Sequence, residues 1–468
     1  MSKFFHFINE HLLLSITVVI ILSVVFVFIS CKDKKAVVAN KNAEPTKVNH
    51  AEWTKDANIY EVNLRQFTKE GTFKAFEAHL PRLKEMGVDI LWFMPIHPVG
   101  VKNRKGTLGS YYSVKDYYTV DPAYGTMEEF KMMVEKAHQL GMKVIIDWVA
   151  NHSAWDNPWV ELHPEWYTKD SNGKMVSPFD WTDVVDLDFN NQELRKEMIK
   201  ALSFWLTKTG IDGFRCDVAM MVPADFWNAA RAELQKIKPD IFMLAEAEDA
   251  ALQIEAFNMY YGWELHHIMN QIAKGKKNAH AIDSYLVKAD STFPSGTYRM
   301  NFITNHDENS WNGTEFERMG NAVNVMAVFA HTLPDMPLIY SGQEAGLNKR
   351  LEFFEKDSIS WQNLELASFY KKLLVLKKEN KALWNGKFGA GIEKIKTGQD
   401  SALYCFARSI ENNTVIVLLN FSAKDRSFIP SSHHGDYIDY FSGKEVILNK
   451  KQKITLKAWG YQILVANN

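Results

Sequence analysis

Ile211-Asp-Gly-Phe-Arg-Cys-Asp217 is a short, mostly apolar stretch that ends in charged residues. It follows Gly210, which ends a helical pattern over residues 194–207. Arg215 and Asp217 lie two residues apart, so in a strand their side chains share one face. Charged groups at the end of an apolar strand are costly to desolvate unless they are paired or used. The stretch therefore predicts a buried strand over residues 211–216 whose carboxyl end carries functional groups.

The same alternation of helical pattern and short apolar strand begins at Ile59. Strands are predicted at residues 59–64, 90–94, 143–149, 211–216, 241–245, about 257–263, 299–304 and 337–340. Helices are predicted at residues 73–86, 127–140, 194–207, 226–237 and 323–331. This alternation predicts a parallel sheet of the α/β class, either a closed (β/α)8 TIM barrel or a doubly wound sheet.

Polar side chains follow four of these strands at the point where each strand ends. They are Asp147, Asn151 and His152 after the third strand, Arg215 and Asp217 at the fourth, Glu246 at the fifth, and Asn305, His306 and Asp307 at the seventh. In a barrel, all strands end at one rim, where these residues would meet. Structural ion pairs do not readily explain four such ends on one rim, which favours the barrel.

The barrel is predicted over residues 51–380, with two additions. A segment rich in Trp, Pro and Asp after the third strand, about residues 151–192, predicts a small excursion domain, because loops of this length are usually functional. After residue 381 the helical pattern stops, and short strands are predicted at residues 403–408, 414–420, 437–440 and 454–465. Residues 381–468 are therefore predicted to form a C-terminal all-β sandwich domain.

The N-terminus carries an uncharged apolar run over residues 12–30, followed by Cys31. Residues 1–31 resemble a lipoprotein signal in which Cys31 is lipidated after cleavage, and an uncleaved membrane anchor is the alternative. Residues 32–50 are polar and aperiodic, and predict a flexible tether. We expect an exported, membrane-anchored lipoprotein on the outer-membrane, periplasmic or cell-surface side.

Composition excludes some classes of function. The formal net charge is −2 and no basic cluster is present, so no nucleic-acid partner is expected. The three cysteines are far apart, which does not suggest a disulfide framework. The 14 Trp and 17 Tyr suit either sugar binding or a large aromatic core.

Three carboxylates with an arginine and histidines are the groups that cleavage of a glycosidic bond needs. One carboxylate attacks the anomeric carbon, and a second protonates the leaving oxygen. The first must stay ionised, which the guanidinium of Arg215 would favour in Asp217. The second must keep its proton near neutrality, which partial burial promotes.

Four segments together resemble the signature regions of the α-amylase family, glycoside hydrolase family 13. They are Asp147-Trp-Val-Ala-Asn-His152, Gly213-Phe-Arg-Cys-Asp217, Glu246 and Phe302-Ile-Thr-Asn-His-Asp307, and they stand in the family's order and spacing. The resemblance extends over residues 51–468. It implies that Asp217 is the nucleophile, Glu246 the general acid/base and Asp307 a third carboxylate that binds sugar hydroxyls. Glu248 is a neighbouring candidate for the acid.

The resemblance also implies a set of substrate-binding residues. His152 and His306 would donate hydrogen bonds to the sugar, Arg215 would orient the nucleophile, and Asp147 would brace the site. Tyr112 matches the family's stacking tyrosine. Of the aromatic residues in the excursion, one or two are expected to line the cleft, from among Trp155, Trp159, Trp166, Tyr167 and Trp181.

No cofactor is expected to be required. The family's structural calcium would use Asn151 and the backbone of a histidine, but Met221 stands at the histidine's position. Asp186 and Asp188 are further candidates, and each is equally explained as a solvated loop carboxylate. Calcium binding is therefore an option that Met221 disfavours, and we expect an acceptor site shaped differently by Met220 and Met221.

The expected function is a retaining hydrolase of α-1,4 bonds, with α-1,6 bonds as a further option, in starch-like glucans or maltooligosaccharides. It would act through a covalent glucosyl-enzyme. A transglycosylase of the same family is a close alternative. The alternative outside enzymes is a membrane-anchored sugar-binding or transporter-accessory protein, which the complete set of carboxylates disfavours.

Overall fold

The structure is a computed structural model that describes residues 45–466. The proposed signal or anchor, Cys31 and residues 32–44 of the tether lie outside the described residues. No helix within residues 45–466 is long and apolar enough to cross a membrane. Residues 45–50 were predicted as tether but belong to the fold. Pro45 pairs with Ser295, and the His50 ring stacks on Tyr298 with 3.8 Å between ring centroids.

Eight parallel strands form a closed barrel, which confirms the predicted fold. Each strand pairs with the strands before and after it in the chain, and the eighth pairs with the first. In chain order they are Ile59–Val62, Ile90–Phe93, Lys143–Trp148, Gly213–Cys216, Phe242–Ala245, Met259–Tyr261, Tyr298–Asn301 and Met336–Tyr340.

Helices surround the barrel and connect its strands. The longer ones are Met127–Gln139, Gln192–Thr209, Ala224–Ile237, Trp263–Ala273, His280–Thr292, Val323–Thr332 and Ala367–Glu379. The helix predicted at residues 73–86 is interrupted and forms Phe73–Glu77 and Leu80–Met86. Pro81 explains the interruption, because proline is accepted in a first helical turn but not in a helix interior. The second piece ends at Gly87, whose φ is +103°.

Strand alternation decides which side chains reach the catalytic rim. In the third strand, Ile145 belongs to the apolar cluster inside the barrel, whereas Val144 and Ile146 pack against the helices. Asp147 therefore follows on the inward face. A Cβ at Gly213 would lie 1.8 Å from the Phe242 carbonyl oxygen. Only glycine lets the fourth and fifth strands approach this closely.

The excursion after the third strand is built on a short antiparallel hairpin. His152–Ala154 pairs with Val184–Asp186, so that His152 lies opposite Asp186. The turns between them include Trp159–Leu162 and Pro164–Trp166. The hairpin brings the far end of the excursion back to the rim of the barrel.

The C-terminal part is an antiparallel β domain, as predicted. Its six-stranded sheet contains Glu393–Ile395, Leu403–Ile410, Asn413–Asn420, Gly435–Asp439, Glu445–Leu448 and Tyr461–Ala466. A second, two-stranded sheet pairs Arg426–Phe428 with Ile454–Leu456, and the two sheets share one apolar core. The single strand predicted at residues 454–465 is therefore wrong. It is divided by a turn at Trp459, whose φ is +54°.

Candidate active site

The four predicted strand ends meet in one cleft of about 480 Å³ at the carboxyl end of the barrel. Its lining includes the three proposed catalytic carboxylates and three of the proposed binding residues, Asp217, Glu246, Asp307, Tyr112, His152 and His306. Asp147 and Arg215 are completely buried beneath them. The convergence inferred from the strand ends is thus present in the structure.

The guanidinium of Arg215 links three of the carboxylates. Its Nη1 donates to Asp147 Oδ1 at 2.8 Å and to Asp217 Oδ1 at 2.9 Å. Its Nη2 forms an ion pair with Glu246 Oε2 at 2.9 Å. One buried cation therefore contacts both Asp217 and Glu246.

Aromatic rings enclose this guanidinium. The ring centroids of Trp92, Tyr112 and Tyr261 lie 5.1, 5.7 and 5.6 Å from the Arg215 Cζ atom. Tyr261 also accepts a hydrogen bond from Arg215 Nε at 3.2 Å, and Trp92 Nε1 donates to Asp147. The sequence analysis did not identify Trp92 or Tyr261, because each lies inside an apolar strand and resembles ordinary core.

The charges in the cleft are unbalanced. The acidic groups Glu61, Asp147, Asp217, Glu246 and Asp307 face two cations, Arg215 and protonated His306. Burial raises the pKa of Asp147, Asp217 and Glu246, and the guanidinium that they share opposes this rise. The cluster therefore retains a proton near neutrality, which is what a site with one general acid and one ionised nucleophile requires.

His306 is held as a cation by a residue that the sequence analysis missed. Its Nδ1 contacts Glu61, a fully buried carboxylate in the middle of the first strand. Its Nε2 lies 2.7 Å from the hydroxyl of Tyr112 and 3.3 Å from Asp307 Oδ2. Burial alone would lower the pKa of His306, but Asp307 and Glu61 raise it to about 9. A charged residue in an otherwise apolar strand was the available signal.

We expect Glu61→Gln to lower the titration midpoint of His306 by about one pH unit, because a buried opposite charge is removed. The shift is measured by NMR of labelled histidine. Because the folded-state pKa of His306 is raised, its charge stabilises the fold at lower pH, and this contribution is lost as pH rises through about 9. In Glu61→Gln this contribution should be smaller, and its loss should be complete at lower pH.

The matched control for this titration is Glu128→Gln, at an exposed position in the first turn of Met127–Gln139. It should leave the His306 midpoint in place. An unchanged midpoint in Glu61→Gln would contradict the assignment.

His152 also lines the cleft, but in a different protonation state. Burial lowers the pKa of His152 to about 3, so the ring is neutral at physiological pH. Its edge meets the Trp181 ring at 5.4 Å between centroids. The cleft thus combines one charged and one neutral histidine.

A strained residue lies between the proposed nucleophile, Asp217, and the proposed acid, Glu246. Val218 has a φ of +36°, a region that β-branched residues rarely occupy. In this conformation its N–H donates to Glu246 Oε2 at 2.7 Å. Such strain is typical of functional sites, and here it orients the Glu246 carboxyl group.

The model of the α-amylase catalytic domain matches residues 41–183 and 162–366 of the chain. The chain belongs to the α-amylase family. It is accordingly a glycosidase. A solved structure of a noncanonic maltogenic α-amylase, AmyB from Thermotoga neapolitana, superposes with a TM-score of 0.81 at 30% identity. The match covers 88% of this chain and 99% of that one.

Two further relatives are α-amylases. Alpha-amylase 3 of Dictyoglomus thermophilum is 27% identical over 454 residues, which cover 80% of this chain and 87% of that protein. Alpha-amylase MalA of Haloarcula japonica is 27% identical over 388 residues. That match covers 80% of this chain but 56% of the relative's length, little more than half.

Glu248 lies two residues after Glu246 and is the alternative candidate for the acid, and the structure places the two side chains in different environments. Glu248 accepts hydrogen bonds from the Glu264 amide at 2.9 Å and from the Tyr285 hydroxyl at 3.3 Å. It belongs to a small surface cavity with these two residues, whereas Glu246 lines the cleft. Position thus favours Glu246 as the acid.

Of the aromatic residues that the excursion contributes, Trp181 lines the cleft of this α-amylase-family enzyme. Trp159 stacks on Tyr117, with 4.8 Å between ring centroids, and meets Trp166 at 5.3 Å. The Tyr167 hydroxyl pairs with Ser153, and Trp155 donates to a backbone carbonyl at 3.1 Å. Most of these contacts lie within the excursion itself, and none of these four residues lines the cleft.

The residues proposed for the family's calcium hydrogen-bond to one another or to their neighbours. Asn151 donates its amide to Asp186 at 3.3 Å, so the two candidates partner each other. Asp188 accepts from the Asn190 amide at 3.0 Å. Within residues 45–466, no three or more His, Cys, Asp and Glu side chains are grouped so that they could hold a metal ion.

Proposed function

We propose that this glycosidase hydrolyses α-glucosidic bonds in α-glucans or maltooligosaccharides, with net retention at the anomeric carbon. The observation that carries the proposal is the bridge formed by Arg215, which holds the Asp217 and Glu246 carboxylates at one cleft. A retaining glycosidase needs one ionised and one protonated carboxyl group flanking the scissile bond.

In the first step, an oxygen of Asp217 attacks the anomeric carbon while Glu246 donates its proton to the leaving oxygen. A covalent glucosyl-enzyme forms, and the part of the chain on the reducing-end side departs as an alcohol. Glu246, now ionised, then takes a proton from water, and the resulting hydroxide equivalent attacks the anomeric carbon. Asp217 leaves, and the sugar is released with its original anomeric configuration.

The residues around the pair stabilise charge at each stage. Arg215 keeps Asp217 ionised for attack and stabilises it again when it leaves. His306 and Asp307 face the sugar whose anomeric carbon becomes positively charged, and they would hydrogen-bond its hydroxyl groups. Asp147 holds Arg215 in place through their bond at 2.8 Å.

The experiment is incubation of the full chain with maltoheptaose and with pullulan, followed by NMR of the fresh products. Release of α-anomeric maltooligosaccharides supports the proposal, and cleavage of pullulan identifies the linkage. Products longer than the substrate in excess acceptor would favour the transglycosylase. Binding of maltoheptaose without turnover would favour the non-catalytic sugar-binding alternative.

We infer that turnover does not need calcium. The support is the hydrogen bond between Asn151 and Asp186 and the methionine at position 221. A chelator is expected to change kcat by less than about twofold, since Arg215 and the Val218 amide hold the carboxyl groups of Asp217 and Glu246. The measurement is initial rate after dialysis against EGTA. A loss that added calcium restores would contradict this inference.

We also propose export and tethering through a lipid on Cys31, on the sequence of residues 1–31 alone. Labelled palmitate should enter the protein in cells and should be absent from Cys31→Ser. Label-free wild-type protein in the membrane fraction would instead support the uncleaved anchor.

A further inference from the structure

Residues 99–110 form a strap, a loop between the second barrel strand and Tyr112. Its base is a bridge between Val99 and Val114. One side of the strap is attached to the excursion: Lys105 Nζ forms an ion pair with Asp183 Oδ1 at 3.0 Å. Nearer the base, the Val101 amide donates to the Asp156 carboxylate at 3.0 Å.

The other side of the strap is attached to the loop after the eighth strand. The Thr107 amide donates to Glu355 Oε1 at 2.9 Å, and the Thr107 hydroxyl donates to the same carboxylate. The Leu108 amide donates to the Phe354 carbonyl at 3.0 Å. The strap therefore joins two walls of the cleft that are far apart in sequence.

The strap is held in one shape by its own contacts. The guanidinium of Arg104 donates to the carbonyl oxygens of Gly100, Thr107 and Val99 at 2.7, 3.2 and 3.0 Å. Gly106 has a φ of +63°, and a Cβ there would lie 2.6 Å from the Cβ of Phe354. A residue with a side chain at position 106 would therefore collide with Phe354 and displace the strap.

The strap lies at a particular end of the cleft. Lys105 and Ser110 line the cleft together with Tyr112. The ring of Phe353, from the loop after the eighth strand, is parallel to Tyr112 within 11° at 6.3 Å. The Tyr112 hydroxyl contacts His306, which in the proposed mechanism faces the attacked sugar, whereas Glu246 serves the departing one. The strap therefore lies on the donor side, where the non-reducing part of the glucan extends.

Aromatic side chains complete this donor side. Trp311 is 51% exposed on the π-helical turn Glu308–Asn312, directly after Asp307. Its ring meets Phe353 and Phe354 with centroids 5.0 and 5.7 Å apart. Apolar rings of this kind suit a sugar face, so the space before the strap can hold sugar rather than only water.

We propose that the strap closes the donor end of the cleft, so that the enzyme acts on the non-reducing ends of glucans and releases short products. This inference rests on the proposed function. A long chain cannot continue past residues 99–110 while both anchors hold. Internal bonds of long glucans would then be poor substrates compared with bonds near a free non-reducing end.

The test compares p-nitrophenyl maltoheptaoside with the same compound blocked by a 4,6-ethylidene group at its non-reducing end. Cleavage is followed by chromatography of the released fragments, without a coupling α-glucosidase, because that enzyme would itself attack the free non-reducing end. The blocked compound should react at least about tenfold more slowly, because its end group cannot be accommodated next to the strap. Equal rates would overturn the inference while leaving the proposed function intact. No cleavage of either compound would overturn both.

A double variant releases both anchors of the strap. Lys105→Ala with Glu355→Gln should raise the rate on the blocked compound, relative to the free one, by about tenfold. Lys174→Ala, at an exposed position of the excursion, is the matched control and should leave the ratio unchanged. A correctly folded double variant with the wild-type ratio would show that the strap does not set the end preference.

Discussion

Replacing Asp217 by asparagine is expected to lower kcat on maltoheptaose by about 10⁴-fold, with little change in KM. The amide cannot attack the anomeric carbon, but it keeps the shape of the carboxyl group and can still accept from Arg215. The sugar contacts proposed for Tyr112, His152 and His306 would remain, so ground-state binding should persist. Steady-state rates and calorimetric binding of maltoheptaose to the variant separate these two effects.

The same variant should fold at least as well as the wild type. Burial raises the pKa of Asp217. Ionisation of Asp217 therefore destabilises the folded protein at every pH above the pKa that this group has in the unfolded chain. Asparagine removes that penalty. Thermal unfolding at pH 7 should therefore give an equal or higher Tm. Lower activity together with a much lower Tm would indicate unfolding rather than loss of a nucleophile.

The control for the charge change is Asp240→Asn. Asp240 is 44% exposed and precedes the fifth strand, at the barrel end opposite the cleft. Its activity should remain within about twofold of the wild type. If Asp217→Asn retained more than about a tenth of the wild-type kcat, another residue would have to be the nucleophile.

Replacing Glu246 by glutamine should lower kcat on maltooligosaccharides by about 10²- to 10⁴-fold. Glutamine cannot protonate the leaving oxygen. The loss should be far smaller in the bond-breaking step for maltosyl fluoride, because fluoride leaves without a proton. Pre-steady-state rates on the two substrates measure this difference directly.

The pH profile gives a second readout for Glu246. Burial raises the pKa of Glu246, so wild-type activity should fall on the alkaline side as the acid loses its proton. The activity of the glutamine variant should not show this alkaline fall. Glu248→Gln makes the same chemical change two residues away, outside the cleft, and should keep both the wild-type rate and the alkaline fall. A larger loss in Glu248→Gln than in Glu246→Gln would transfer the acid role to Glu248.

The strand-end residues were predictable because parallel strands present their carboxyl ends at one rim. That rule alone brought Asp217, Glu246 and Asp307 together before any distance was known. The strand-end rule did not identify Glu61, because Glu61 lies within the first strand and its partner His306 is 245 positions away in the chain. Their contact exists because the closed barrel brings the first strand near the end of the seventh.

The strap was also beyond the reach of sequence patterns. Residues 99–110 show no periodicity, and their role depends on Asp183 and Glu355, which belong to separate loops. Similarly, the tether predicted to residue 50 was too long, since Pro45 and His50 find partners on the barrel that no local pattern shows.

The sequence by itself determined the barrel, the β domain that follows it and the position of the proposed catalytic carboxylates at the strand ends, because strand period, helix ends and strand-end charge are local properties. The tertiary structure decided the rest. The burial that raises the pKa of Glu246, the Glu61 carboxylate that keeps His306 charged and the strap that closes one end of the cleft all arise from contacts between distant segments. Such contacts depend on how the chain closes in space, which no short stretch of residues records.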